Sequence, residues 1–124
     1  MSDKKERVVV IGASNKTGRY SYKAIESLLV YGHQPVPVNP ALKEIKGIKV
    51  VNDIADIKGA VDTVTLYVGP ERLESMAEQI IALKPKRIIA NPGAESDKMK
   101  RLAAAAGIKY LEACTLVMLA TGQF

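Results

Sequence analysis

Apolar and polar positions follow two rhythms along this chain, and the rhythms take turns from one end to the other. Residues 7–11 (RVVVI) form a near-continuous β-branched run, the pattern of a strand covered on both faces in a parallel sheet. Residues 19–31 then carry Ile25, Leu28 and Leu29 on one helical face, with Gly32 as a stop. Residues 36–38 read as a second strand. Pro35 and Pro37 flank or interrupt it, and proline has no ladder donor, so a short or irregular strand is expected. Residues 49–51 add a short strand, and Asp53 is placed to cap a helical turn through Ile57. Residues 63–68 (TVTLYV) predict a strand. The clearest helix follows: Leu73, Met76, Ala77, Ile80 and Ile81 recur at i, i+3, i+4, i+7 and i+8 between Pro70 and Pro85. Residues 87–90 are a strand, 96–106 a helix ended by Gly107, and 108–111 the last strand, before an apolar tail at 114–120.

Strands alternating with helices of this length imply βαβ units. The expected fold is α/β: a single Rossmann-like doubly wound domain over residues 1–124, with a mostly parallel sheet of about five strands and helices on both faces. A length of 124 residues agrees with one hydrophobic core. The polar start (MSDKKER) lacks the apolar run of a secretory signal. The longest apolar runs, 8–11 and 116–120, fall far short of the ~20 residues that span a bilayer. One cysteine, Cys114, leaves no internal disulfide framework and no Cys-based metal cluster. A cytoplasmic protein is expected. The formal net charge of +5 suits an anionic partner, nucleotide phosphate or nucleic acid, and equally a solvated basic surface; charge alone does not choose.

In a doubly wound sheet, ligands sit beyond the carboxyl ends of the strands, where strand order reverses. The loops that matter are therefore 12–18, 39–43, 69–70 and 91–94. In the first, Gly12 allows a sharp turn, and the small Ala13 and Ser14 leave room for a phosphate. Asn15 and Lys16 follow, and free N–H groups at the helix start, with Lys16 or Arg19, would hold the anion. The helix dipole adds only ~0.3–1 kcal/mol at an exposed site, so the cations and direct hydrogen bonds carry most of the attraction. The loop has neither Gly-x-Gly-x-x-Gly nor Gly-x-x-x-x-Gly-Lys-Ser/Thr. Gly12 and Gly18 also suit a plain strand–helix turn. After the second strand the chain reads Val38, Asn39, Pro40, Ala41, Leu42, Lys43, with no carboxylate before Glu44. The acidic residue that holds an NAD ribose is missing, which disfavours NAD. Lys43 suits a phosphorylated ribose, as in NADP or coenzyme A, and equally a solvated loop.

Taken together, Val10-Ile11-Gly12-Ala13-Ser14, Arg19-Tyr20-Ser21-Tyr22-Lys23, Pro37-Val38-Asn39-Pro40 and Asn91-Pro92-Gly93 resemble the small CoA-binding-domain family, which is related to the N-terminal domain of the succinyl-CoA synthetase α subunit. The similarity runs along essentially the whole chain. It implies that Gly12, Ala13 and Ser14 contact the CoA pyrophosphate, with Arg19, Tyr20 and Ser21 nearby. It implies further that Val38, Asn39, Pro40 and Lys43 surround the adenosine and its 3′-phosphate. Val68, Gly69 and Pro70 would border adenine or pantetheine, and Asn91, Pro92 and Gly93 would approach the pantetheine arm. Many members of the family differ at the Asn91-Pro92-Gly93 turn.

The synthetases use a phosphohistidine in a further domain, and no such domain is expected for this chain. Its one histidine, His33, follows the first helix, at the end of the sheet opposite the ligand loops. Cys114 follows the last strand, where its loop could bring the thiol to the crevice, but beside Leu116, Val117 and Met118 it reads as core. Glu95 and Asp97 suit the start of a helix rather than an acid–base pair. The reading is a non-catalytic module without a metal site that binds CoA or acyl-CoA as a sensor or accessory. An NADP-dependent oxidoreductase is the alternative; it lacks the dinucleotide glycine pattern and a substrate domain. A nucleic-acid-binding domain lacks a stacking platform, with one Phe and no Trp. The apolar tail would support a homodimer or cover one part of the sheet.

Overall fold

A computed structural model describes residues 5–124; residues 1–4 of the polar start lie outside the described residues. In chain order the elements are β1 (Arg7–Ile11), α1 (Tyr20–Val30), β2 (Gln34–Val38), β3 (Glu44–Ile45), β4 (Ile48–Lys49), a 3₁₀ turn (Ile54–Asp56), β5 (Thr63–Leu66), α2 (Pro70–Ala82), β6 (Arg87–Ala90), α3 (Asp97–Ala105), β7 (Lys109–Glu112) and α4 (Thr115–Ala120). The main sheet is parallel throughout, in the order β2-β1-β5-β6-β7. This is the Rossmann-like α/β architecture expected from the alternating rhythms.

The continuous apolar run of β1 serves both faces of the sheet. Val9 and Ile11 join Leu73, Ala77 and Ile80 of α2 and Met99 and Ala103 of α3 in one core. Val8 and Val10 join Ile25 and Leu28 of α1 and Leu119 of α4 in the other. Each fully buried aliphatic side chain contributes ~1.5–3 kcal/mol relative to exposure, which is what holds the helices down. From β1 the chain moves to β2 on one side, then crosses to β5 on the other. Strand order therefore reverses between β1 and β5, and the loops after these two strands face each other.

Four local outcomes differ from the sequence pattern. β2 is longer than expected and holds both prolines. It is an edge strand, paired only with β1 in the main sheet. Gln34 N–H donates to Glu6 O at 2.9 Å, and period-2 alternation puts the nitrogens of Pro35 and Pro37 on the outer side, where no donor is needed. The strand expected at 49–51 is instead the second arm of an antiparallel hairpin, β3–β4. Lys46 and Gly47 both have positive φ, 52° and 77°, the signature of a tight two-residue turn; Val51 keeps one parallel bridge to Val38. The strand expected over 63–68 ends at Leu66, and Tyr67 and Val68 swing into the loop against Gly12. The apolar tail folds as α4 and packs on α1, burying Met118 and Leu119 while Val117 stays exposed.

Candidate functional site

The carboxyl ends of β1, β2, β5 and β6 open into a crevice of about 810 Å³. It gathers Gly12, Ala13, Ser14, Lys16, Arg19, Tyr20 and Ser21 from the first loop and the start of α1, and Val38, Asn39 and Pro40 from the end of β2. Val68 and Gly69 come from the loop after β5, and Pro92 and Gly93 from the loop after β6. Asn15, Lys43, Pro70 and Asn91 are not part of the lining. Asn15 and Lys43 are exposed elsewhere on their loops, and Pro70 is the first residue of α2.

The first loop is held by its own polar groups and by its neighbours. Ser14 Oγ accepts from Lys16 N–H at 3.1 Å, and Ala13 N–H donates to Val38 O at 3.1 Å. Asn39 ties the first loop to the second: Nδ2 donates to Ala13 O at 2.9 Å, while Oδ1 accepts from Ala41 and Leu42 N–H at 2.8 and 3.0 Å. Asn52 Nδ2 adds bonds to Asn39 O and Leu42 O at 2.8 and 2.9 Å. These asparagines shape the crevice through bonds that occupy most of their polar capacity.

Two helix starts face the crevice without a side-chain cap. Arg19 caps α1 and Gly69 caps α2 with no side-chain hydrogen bond, and the first turn of α1 holds no acid. By contrast, Ser96 Oγ accepts from Met99 N–H at 3.1 Å at the start of α3. The orphan N–H groups of α1 are therefore open to an outside acceptor. Among the lining residues the cations are Lys16, Arg19 and Arg72, and the carboxylate is Asp53. None of the three cations forms an ion pair with a described residue. Asp53 Oδ1 accepts from Ala55 N–H at 2.9 Å, capping the 3₁₀ turn as the sequence predicted.

The pattern along the chain did not reveal one wall. Arg72, Ser75, Met76 and Gln79 of α2 line the crevice together with Asn52, Asp53 and Ile54, and Tyr67 and Ala94 complete it. The residues of α2 recur at i, i+3, i+4 and i+7, a stripe beside the buried Leu73, Ala77 and Ile80. Met76, read from the sequence as core, is half-buried at the border between core and crevice.

Asn91 is buried behind the loop it begins. Its Nδ2 donates to Thr65 Oγ1 at 2.7 Å and Leu66 O at 2.8 Å, and its Oδ1 accepts from Thr115 N–H at 2.9 Å. Thr65 and Thr115 share a further hydroxyl bond at 2.7 Å. Among the described residues the buried Tyr67 hydroxyl has no partner in hydrogen-bond geometry. Burial pushes its pKa up to about 12; the nearby Thr115 and Thr65 hydroxyls temper that rise. Tyr67 thus stays protonated at neutral pH. Cys114 lies outside the crevice lining. His33 sits at the opposite end of the sheet, its Nδ1 accepting from Glu6 N–H at 3.0 Å.

Comparison with known proteins agrees with this architecture. A family model described as "CoA binding domain" matches residues 6–120. The uncharacterized protein YneT of Bacillus subtilis (strain 168) is 30% identical over 76 residues, 61% of this chain and 56% of that protein; the match spans little more than half the length of this relative. A solved structure of an uncharacterized protein superposes with a TM-score of 0.92 at 40% identity, covering 98% of this chain and 99% of that one. The dinucleotide-forming acetyl-coenzyme A synthetase 1 of Ca. Korarchaeum cryptofilum, solved with phosphate and ADP, gives a TM-score of 0.75 at 20% identity, over 87% of this chain and 25% of that one. At that identity the likeness is one of fold.

Proposed function

Because the chain belongs to the CoA binding domain family over residues 6–120, we propose that its crevice binds coenzyme A or an acyl-CoA as a non-catalytic module, a sensor or accessory to another protein. The observation that carries this reading is the first loop: an uncapped, acid-free helix start, with Lys16 and Arg19 beside it, opening into a crevice of about 810 Å³. That volume lies in the ~300–1,000 Å³ range of small-molecule sites. The cation excess fits a polyanionic ligand. The N–H groups of the first loop and of α1, with Lys16 and Arg19, hold the diphosphate. Val38, Pro40 and Val68 offer apolar surface to the adenosine, and Pro92 and Gly93 border the pantetheine. Bound CoA supplies a thiol or thioester as its reactive group; the residues of this chain hold and orient the carrier.

Calorimetric titration of ligand-stripped protein with CoA, and in parallel with NADPH, NAD and ATP, tests the reading. Saturable one-to-one binding of CoA, weakened about tenfold or more in Arg19→Ala through loss of a charge-assisted contact, is expected. Tight NADPH binding without CoA binding would turn the site into one for a dinucleotide.

A further inference from the structure

The crevice distributes its positive charge in two places. Lys16 and Arg19 belong to the first loop, whereas Arg72 is the third residue of α2, in the same lining as Asn52 and Asp53. Arg72 makes no ion pair with a described residue. In the same lining Asn52 Nδ2 donates to Asn39 O and Leu42 O, and Asp53 Oδ1 accepts from Ala55 N–H. Lys43, the cation that the sequence offered to a ribose phosphate, is exposed outside the lining, and its carbonyl is bound by Val50 N–H at 2.9 Å where the β3–β4 hairpin begins.

We propose that Arg72 is the residue that reads a phosphomonoester on the ligand's ribose, so that the crevice selects nucleotides carrying a diphosphate and a separate monophosphate. The inference rests on the reading that the first loop holds the diphosphate. From that loop the nucleoside of a ligand in a doubly wound fold extends toward the end of the second strand. There it meets the α2 wall, and among the described lining residues Arg72 is the cation left for a further phosphate. A guanidinium matches phosphate with a planar fork of donors, which an ammonium cannot reproduce. The 3′-phosphate of CoA and the 2′-phosphate of NADP share this chemistry.

The test compares matched ligand pairs, CoA against 3′-dephospho-CoA and NADPH against NADH, by calorimetry on the wild type, Arg72→Gln and Lys43→Gln. Arginine and glutamine have similar helix propensity and the site is exposed, so the first variant is expected to fold. The wild type is expected to prefer the phosphorylated member of one pair by ~10–100-fold, the range for hydrogen bonds to a charged group. Arg72→Gln brings that ratio close to one and Lys43→Gln preserves it; the pair that responds identifies the ligand. A ratio unchanged in Arg72→Gln, or lost in Lys43→Gln, overturns the assignment while leaving CoA binding intact. Absence of binding by both members of the CoA pair overturns the CoA reading itself. Absence for all four ligands removes the diphosphate site and Arg72's role with it.

Discussion

At Gly12 two demands meet on one Cα. Its φ of +84° lies where side chains are disfavoured, and a Cβ there would stand 2.7 Å from Tyr67 O and 2.8 Å from Val68 Cγ1. Backbone on one side and a buried valine on the other leave little room to yield. Gly12→Ala is therefore expected to cost ~1–3 kcal/mol, the range for a non-glycine residue held in a sparsely populated conformation, seen as a lower urea midpoint. Gly18 lacks a positive φ, and nothing lies within 4 Å of its would-be Cβ. Gly18→Ala is expected to stay within ~0.5 kcal/mol of the wild type. Equal losses in the two variants would show that flexibility of the loop, rather than the contact with the β5 loop, is what glycine supplies. The first loop read as a phosphate cradle is thus also a packing joint at the point where strand order reverses.

Among the elements, α4 depends most visibly on a single buried side chain. Asn91 joins the ends of β5 and β6 to Thr115 N–H, at the first residue of α4. Asn91→Leu keeps the size but leaves that N–H and the Thr65 hydroxyl with fewer partners. A loss of about 2–4 kcal/mol is expected, since each buried polar group left unsatisfied costs ~1–3 kcal/mol. Amide exchange should accelerate at 115–120 before it does in β1; uniform acceleration would mean that the helix is held by packing instead. From sequence, Asn91 reads as a ligand contact because it begins a loop after a strand and belongs to the Asn91-Pro92-Gly93 turn of the family resemblance. Nothing in the local pattern distinguishes an asparagine facing the crevice from one turned into the sheet. The strands and long helices were legible because continuous β-branched runs and the spacing of Leu73, Ala77 and Ile80 report burial directly. The β3–β4 turn was not, because Lys46 takes a positive φ without the usual Asn, Asp or Gly. The α2 wall was hidden for a different reason. The link from β2 to β5 contains a hairpin and a 3₁₀ turn rather than a long helix, and the flank that borders the crevice is a tertiary fact that helical period does not encode.

Across the whole molecule, ion-paired cations and crevice cations separate toward the two ends of the sheet. At the amino ends of the strands cations are paired, Arg87 with Glu6 at 3.3 Å and Lys86 with Asp62 at 3.2 Å. At the carboxyl ends Lys16, Arg19 and Arg72 face the crevice without such partners among the described residues, so part of the +5 net charge lies along the crevice. His33 belongs to the paired end, packed 5.0 Å from the Phe124 ring. Burial lowers its pKa from 6.5; Glu6 opposes the shift, while Lys5 and Arg87 add to it. Protonation would also remove the Nδ1 acceptor from Glu6 N–H. With the folded value below the unfolded one, the unfolded chain binds more protons through this window. The contribution of His33 to stability is thus full above pH 6.5 and declines as pH falls through its folded pKa. Urea midpoints measured from pH 7.5 down to about pH 5 should fall, and His33→Gln should flatten that slope. Ligand affinity over the same range should not follow His33, which lies at the far end of the sheet. An unchanged slope in the variant would assign the pH dependence to other groups, and a parallel loss of affinity would mean that the two ends of the sheet are coupled.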